Sequence, residues 1–337
     1  MIISRSPHRI SFFGGGTDYP GYYLEHGGKV LGVAIDKYCY INVRRLPPFF
    51  EFKHRIVYSK SENVKCFNEI EHPAVRETLK YVNVDYGVSI HHDGDIPARS
   101  GMGSSSAFTV GLLNSLMALE GKLISKKDLA KQAIHIEQNL IRENVGSQDQ
   151  TFAAYGGLNV IEFLSNGDIL VNPIIMKQDR LQSFEGHLML VFTGLSRYAS
   201  DIAGEQIQNT LINIDRLNGM KTLVDDAHAI LTNPQKDLHE FGELLNETWK
   251  LKRSLSSKIA TDEIDEMYDI ALKNGAIGGK LLGAGGGGFM LFFVAKNQRH
   301  RLSAALSPFL HIPFKFDYDG SKVIVYEPGY DGKDSED

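Results

Sequence analysis

Two cysteines, Cys39 and Cys66, are all that the 337 residues contain, and they fit neither a disulfide framework nor a zinc-ligand spacing. A disulfide-stapled fold is excluded, and a reducing compartment suits the chain. No run of about 20 apolar residues could span a membrane. The first residues, MIISRSPHRI, lack the apolar centre of a secretion signal, so a cytoplasmic location is expected. Positive charge is not in excess either. Lys and Arg number 36 against 41 Asp and Glu, a formal net charge of −5, and the basic residues are scattered. Nucleic acid and membrane surfaces are therefore not the expected partners. A small molecule is, and nothing in the sequence indicates a homo-oligomer.

Glycine is what the chain has in quantity: 33 residues, gathered in FFGGGTD (12–18), SGMGS (100–104), YGG (155–157) and GAIGGKLLGAGGGGF (275–289). Glycine clusters beside strand-like or helix-like segments mark sharp turns or close backbone approach. Several clusters together suggest a shared ligand.

The chain alternates short strands and helices. Residues 30–44 show period-two alternation, with Val33, Ile35, Cys39, Ile41 and Val43 on one face. Further strands are expected near 54–58, 87–92, 158–163, 169–172, 187–194 and 288–294. A helix is expected from Ser104 to Glu120, where Phe108, Leu112, Leu116 and Leu119 recur at helical spacing and Gly121 follows as a cap. A second helix starts at Ser125 with Asp128 three residues on, and carries Leu129, Ala133, Ile136 and Leu140. Polar helices are expected near 198–218, 221–231, 235–257 and 261–274. This is an α+β pattern, with a domain of residues 1–180 and a second of 181–337.

The stretch ARSGMGSSSA (98–107) runs straight into the first of those helices. If Ser104 opens the helix, loop amides and the positive helix end face one place, which suits an anion such as a phosphate. A glycine-serine loop with an N-cap serine would look the same. In ENVGSQDQ (143–150), Asp149 sits in a small-residue loop where it could take a proton from a hydroxyl, or simply form a turn. Glu137 borders an apolar stripe, so its carboxylate needs a cation, either a side chain or a metal. In PHRISFFGGGTDY (7–19), Arg9 precedes a short strand, and Asp18 follows three glycines where it could accept sugar hydroxyls. The late KLLGAGGGGFMLFF (280–293) could close a phosphate site from the opposite side.

Taken in chain order, these four segments resemble the GHMP small-molecule kinases. The resemblance implies a two-domain fold: an N-terminal domain like domain 2 of ribosomal protein S5 and a ferredoxin-like C-terminal domain, with ATP and substrate in the cleft. It implies that Ser100, Gly101, Met102, Gly103, Ser104, Ser105 and Ser106 wrap the ATP phosphates. Ser105 and Glu137 match the family's Mg2+ ligands, Asp149 its catalytic aspartate, and Arg9 the arginine beside it. Gly14, Gly15, Gly16, Thr17 and Asp18 would form the sugar site with Gly285 and Gly286. Galactokinases carry Glu and His where this chain has Gly15 and Gly16, so a sugar larger than galactose is expected. RISFFGGGTDYPGYY, VGSQDQ and FTGLSRYASDI resemble the heptose-kinase subgroup. That implies phosphorylation of the anomeric hydroxyl of D-glycero-D-manno-heptose 7-phosphate, on the way to GDP-heptose for surface polysaccharide. Arg197, with Ser200 nearby, is the expected receptor of the 7-phosphate, although a surface arginine would read alike. A 1-kinase of unphosphorylated fucose and an idle sugar sensor are the alternatives.

Overall fold

The computed structural model describes residues 1–98, 100–195, 199–210, 212–256 and 258–328, with only the backbone of 199–202 and 206. Strand β1 (Ile2–Phe13) leads through α1 (Pro20–His26) to the long strand β2 (Gly28–Arg45). Next come β3 (His54–Val57), β4 (Ser61–Val64), α2 (Pro73–Val82) and β5 (Val88–Gly94). Helices α3 (Ser104–Leu119), α4 (Lys126–His135) and α5 (Gln148–Tyr155) precede β6 (Leu158–Phe163) and β7 (Ile169–Pro173). A helix α6 (Gln178–His187) feeds β8 (Leu188–Phe192). The helices α7 (Ala199–Gln208), α8 (Ile214–Thr232), α9 (His239–Arg253) and α10 (Asp262–Lys273) follow. The chain finishes with β9 (Ala276–Leu281), β10 (Phe289–Val294), α11 (Arg299–Ala305), β11 (Leu310–Ile312) and β12 (Lys322–Tyr326).

These strands form two sheets. The first has the order β12-β1-β2-β5-β3-β4, and β6 with β7 branches from β2. At 18 residues β2 is long enough to pair β6 along its first part and β5 along its last, while β1 runs beside most of it. Its alternation is clean only from Cys39 to Val43; from Val30 to Ile35 every residue is buried. The second sheet has the order β11-β8-β10-β9. Strand β10 (FMLFFV) is buried at every position, as a central strand covered on both faces requires. The sheets meet in one aromatic core. Phe12 of β1 packs edge-to-face on Phe184 of α6 and Phe241 of α9, with ring centroids 5.7 and 5.5 Å apart.

Helix α3 is the central helix, buried nearly all round. It lies close on β1 and β2 because Gly111 and Ser115 are small: Ser4 Oγ donates to the Gly111 carbonyl, and Ser115 Oγ to Ser4 Oγ, each at 2.8 Å. It ends as the sequence suggests. Gly121 adopts φ +67°, its N–H donates to Ala118 O, and Lys122 N–H donates to Met117 O. Ser125 caps α4, accepting from Asp128 N–H at 3.1 Å.

Three segments differ from the sequence reading. The ISFF strand is only the end of the 12-residue β1. No break separates 218 from 221: α8 runs straight through Gly219. Asp149 lies in the first turn of α5 rather than in a loop, because Phe152, Ala153 and Ala154 give that segment a buried helical face.

Candidate functional site

The loop Ser100–Gly103 turns twice through left-handed backbone, at Gly101 (φ +79°) and Gly103 (φ +73°), and then enters the 16-residue α3. Arg9 fixes it from behind. Its Nη1 donates to Gly101 O at 2.7 Å and its backbone N–H to Met102 O at 3.1 Å. A peptide's N–H points opposite to its C=O, so these two peptides turn their amide hydrogens away from Arg9. The opening amides of α3 and the positive end of its dipole adjoin them. Among the described residues, Ser100 Oγ is buried there without a hydrogen-bond partner. The arrangement is built for an anion.

The late glycine loop lies directly on this turn. A Cβ on Gly283 would stand 2.4 Å from Gly101 Cα, and one on Gly288 would stand 2.1 Å from Ser100 O. The two backbones touch because neither carries side chains. Gly285 and Gly286 face the other way, against Ile259: Gly286 N–H donates to Ile259 O at 2.9 Å.

Asp149 and Arg9 meet beside Gly103. Arg9 Nε and Nη2 donate to the two oxygens of Asp149, each at 2.8 Å. Arg9 is buried, and the Asp149 side chain is 25% exposed, so one carboxylate edge stays reachable. Gly103 is needed where it is: a Cβ would sit 3.3 Å from Asp149 Oδ2 and 3.4 Å from Arg9 Cγ.

Asp18 does not present itself as an open reader of hydroxyls. It is buried, Oδ1 accepts from Gly16 N–H at 3.0 Å, and Oδ2 accepts from Gln148 N–H at 3.3 Å. Gly146 makes room for it, since a Cβ there would lie 1.9 Å from Asp18 Oδ2. Asp18 therefore braces the β1–α1 loop against the start of α5. Burial pushes its carboxyl up, and the charge of Asp149 adds to the shift. Thr17 is a brace too: its Oγ1 donates to Gly14 O and Lys29 O. Gly14 and Gly16 admit α8, because a Cβ on Gly14 would meet Val224 Cγ2 at 2.8 Å and one on Gly16 would meet Leu217 Cδ2 at 3.1 Å. The space that a larger sugar was expected to use at Gly16 is thus bordered by Leu217. A cavity remains beside it, lined by Gly16, Tyr19, Thr210, Asn213, Leu217 and Leu255.

Glu137 is fully buried in a π-helical stretch, Ile136–Ile141, that continues α4 and ends at Arg142 with φ +64°. Its Oε2 accepts from Ser106 Oγ at 2.8 Å and from Gln150 Nε2. Among the described residues its Oε1 has no well-formed hydrogen bond, while the Thr109 hydroxyl, like those of Ser106 and the amide of Gln150, favours the charged carboxylate. Burial pushes the carboxyl up to about 7. Ser105 and Glu137, both expected to hold Mg2+, do not touch each other; Ser106 is the serine at the carboxylate. Successive helical residues are rotated by about 100°, and the turn that brings Ser106 to Glu137 leaves Ser105 exposed. A buried carboxylate beside the Ser106 and Thr109 hydroxyls is a hard-oxygen set that fits Mg2+.

Two lysines that the sequence reading passed over lie under the site. Lys252 of α9 donates to Leu281 O at 2.9 Å and to Gly283 O, so it holds the late glycine loop. Lys280 of β9 donates to Ser11 O and Phe12 O, each at 2.9 Å, and pins the end of β1. Burial, with Arg9 adding, brings the Lys252 amine down to about 7; Lys280 is lowered by burial and by the charge of Lys252. Lys280 had a signal, a cation between Gly279 and Leu281 in an apolar strand. Lys252, in a polar helix rich in charge, had none. Arg197 lies outside the described residues, and of Ser200 only its place in α7 is described. Among the described residues, no helix is long and apolar enough to cross a membrane.

Comparison with known proteins identifies the family. The model of the GHMP kinases N terminal domain matches residues 67–157, and that of the GHMP kinases C terminal domain matches 227–308, between them just over half of the chain. The chain is 29% identical over 321 residues to D-glycero-alpha-D-manno-heptose 7-phosphate kinase of Campylobacter jejuni, covering 90% of this chain and 93% of that protein. It is 26% identical over 345 residues to L-fucokinase/L-fucose-1-P guanylyltransferase of Bacteroides fragilis, covering 89% of this chain and 35% of that longer protein. The crystal structure of a D-glycero-D-manno-heptose 1-phosphate kinase from Bacteroides thetaiotaomicron superposes with a TM-score of 0.79 at 25% identity, covering 97% of this chain and 100% of that one. The two sheets are those of the two-domain GHMP kinase fold. The chain belongs to the GHMP kinases and is an ATP-dependent sugar kinase.

Proposed function

We propose that the chain transfers the terminal phosphoryl group of ATP to the anomeric hydroxyl of D-glycero-D-manno-heptose 7-phosphate, giving the 1,7-bisphosphate. The observation that carries this reading is the meeting of Arg9 and Asp149 at Gly103, where the phosphate loop enters α3. The sugar O1 attacks the γ-phosphorus, the bond to the bridging oxygen breaks, and ADP leaves. The hydroxyl proton passes to Asp149, whose exposed edge is a suitable acceptor held still by the Arg9 fork. Such transfers depend on positioning and on neutralising spread negative charge. Arg9, the α3 amides and the loop Ser100–Gly103 provide both.

Glu137, with Ser106 or Ser105, would hold Mg2+. When bound, the ion neutralises charge on the phosphate oxygens. The first turn of α3 and the late glycine loop would cradle the phosphates from two sides.

The substrate follows from the relatives. One named for heptose 7-phosphate and one for heptose 1-phosphate share the sugar but differ over which end carries phosphate. Likeness to a fucokinase supports a second reading, a 1-kinase of an unphosphorylated sugar. The test is ATP consumption over heptose 7-phosphate, heptose 1-phosphate, free heptose and L-fucose, with the product position read by phosphorus NMR. Turnover with heptose 7-phosphate and a new anomeric phosphate is expected. Turnover with fucose alone selects the second reading. No turnover with any of the four overturns both and leaves an idle sugar-binding protein.

A further inference from the structure

Gly15 stands at the edge of the reaction site, two residues from Thr17 and within reach of α5. A Cβ placed on it would lie 3.6 Å from Ser11 Oγ and 3.8 Å from Gln148 Nε2. The bare Cα thus borders one hydroxyl and one amide. Both residues are more than nine-tenths buried, and among the described residues Ser11 Oγ and Gln148 Oε1 have no hydrogen-bond partner. Buried polar atoms are almost always satisfied, so a hydroxyl and an amide that border the same glycine, each with an unpartnered oxygen, call for a ligand group. Gln148 is the neighbour of Asp149 in α5, and its backbone N–H is already fixed by Asp18. Ser11 is fixed by Lys280, which takes its carbonyl. The two side chains are therefore set on held backbone, as specificity requires.

We infer that Ser11 and Gln148 form a hydroxyl-reading subsite beneath Gly15, which selects acceptors bearing a hydroxyl group there besides the one that is phosphorylated. A hydroxyl donates to one partner and accepts from another, and this pair offers both roles. A site built around such atoms rejects an analogue that leaves them unpaired. The inference rests on the sugar-kinase reading above and names residues that choose its acceptor.

The test uses the full chain with ATP, with D-glycero-D-manno-heptose 7-phosphate and L-fucose as probes. Ser11→Ala and Gln148→Leu each raise the acceptor KM about tenfold, while the ATP KM moves less than twofold. The double variant falls short of the product of the two, because one hydroxyl serves both. Gly15→Leu, which covers the gap with both polar side chains in place, raises the acceptor KM in the same way and guards against a folding artefact in either polar variant. Acceptor KM values within twofold of wild type in all three variants overturn the subsite. A wild-type chain that consumes ATP with neither probe overturns the kinase-substrate reading itself, and the subsite with it.

Discussion

Arg9 and Asp149, 140 residues apart in the chain, face each other through two parallel hydrogen bonds of 2.8 Å, and the same guanidinium holds the Gly101 carbonyl. One side chain thereby sets both the carboxylate that takes the proton and the loop that takes the phosphates. Asp149→Asn keeps the size of the side chain and loses its basicity. Turnover is expected to fall by roughly 10²–10⁴ while the thermal midpoint and the ATP KM stay near wild type. A steady-state assay beside a melting curve checks this, and near-normal turnover reassigns the role. Arg9→Lys keeps charge but cannot make the fork and the carbonyl contact together, so a loss of about tenfold or more is expected.

The contact between the two glycine loops leaves no space for a methyl group. Gly288→Ala would place Cβ 2.1 Å from Ser100 O, at φ +103°. A loss of at least about 2 kcal/mol is expected, read by urea denaturation. Gly21→Ala is the control. Nothing lies within 4 Å of its Cβ and it sits inside α1, so it should be neutral or stabilising by up to about 1 kcal/mol.

Glu137 gives a pH signature. Its carboxyl is pushed above the unfolded value, to about 7, so its contribution to stability is fully present below the unfolded value and is lost as pH rises through about 7, where the buried group must ionise. In Mg2+-free buffer, Glu137→Gln removes the charge. It should stabilise the protein by roughly 1–3 kcal/mol at pH 8 and change little at pH 5. Protection of wild type by Mg2+ with a non-hydrolysable ATP analogue should vanish in the variant. Equal stability of both proteins at pH 8, with Mg2+ protection retained, would remove Glu137 from the metal site.

Lys252 has the opposite sign. Its amine lies below the unfolded value, so the charged form costs folding free energy below about pH 7, and that cost is relieved as pH rises toward the unfolded value. Lys252→Met removes this slope. It also frees the Leu281 and Gly283 carbonyls and takes a cation from beneath the phosphate loop. The ATP KM is expected to rise about tenfold, with a weaker dependence on salt. An unchanged ATP KM would confine Lys252 to a structural role.

Local chemistry explains which parts were legible in the sequence. The strand at 158–163, helix α3 and its Gly121 terminus were readable because period, cap and turn residues agree. Asp149 was read as a loop residue because Gly146 and Ser147 suggest a turn; only the packing of Phe152 shows the helix. Ser105 and Ser106 differ by one step of rotation, so the hydrogen bond of Ser106 to Glu137 was not legible in the motif. Asp18 was legible as important and not as a brace, because its partners are backbone amides. The orphaned atoms of Ser11 and Gln148 exist only once β1 and α5 are brought together.

The first strand is flanked on one side by the last: Ile2 pairs with Tyr326, and Arg5 with Lys322. A ribosome that has not yet made residues 322–326 therefore holds a sheet with one bare margin. Every other strand of the two sheets is made before β1 gains its outer neighbour. A polypeptide stopped short of Lys322 would expose that margin to other copies of itself.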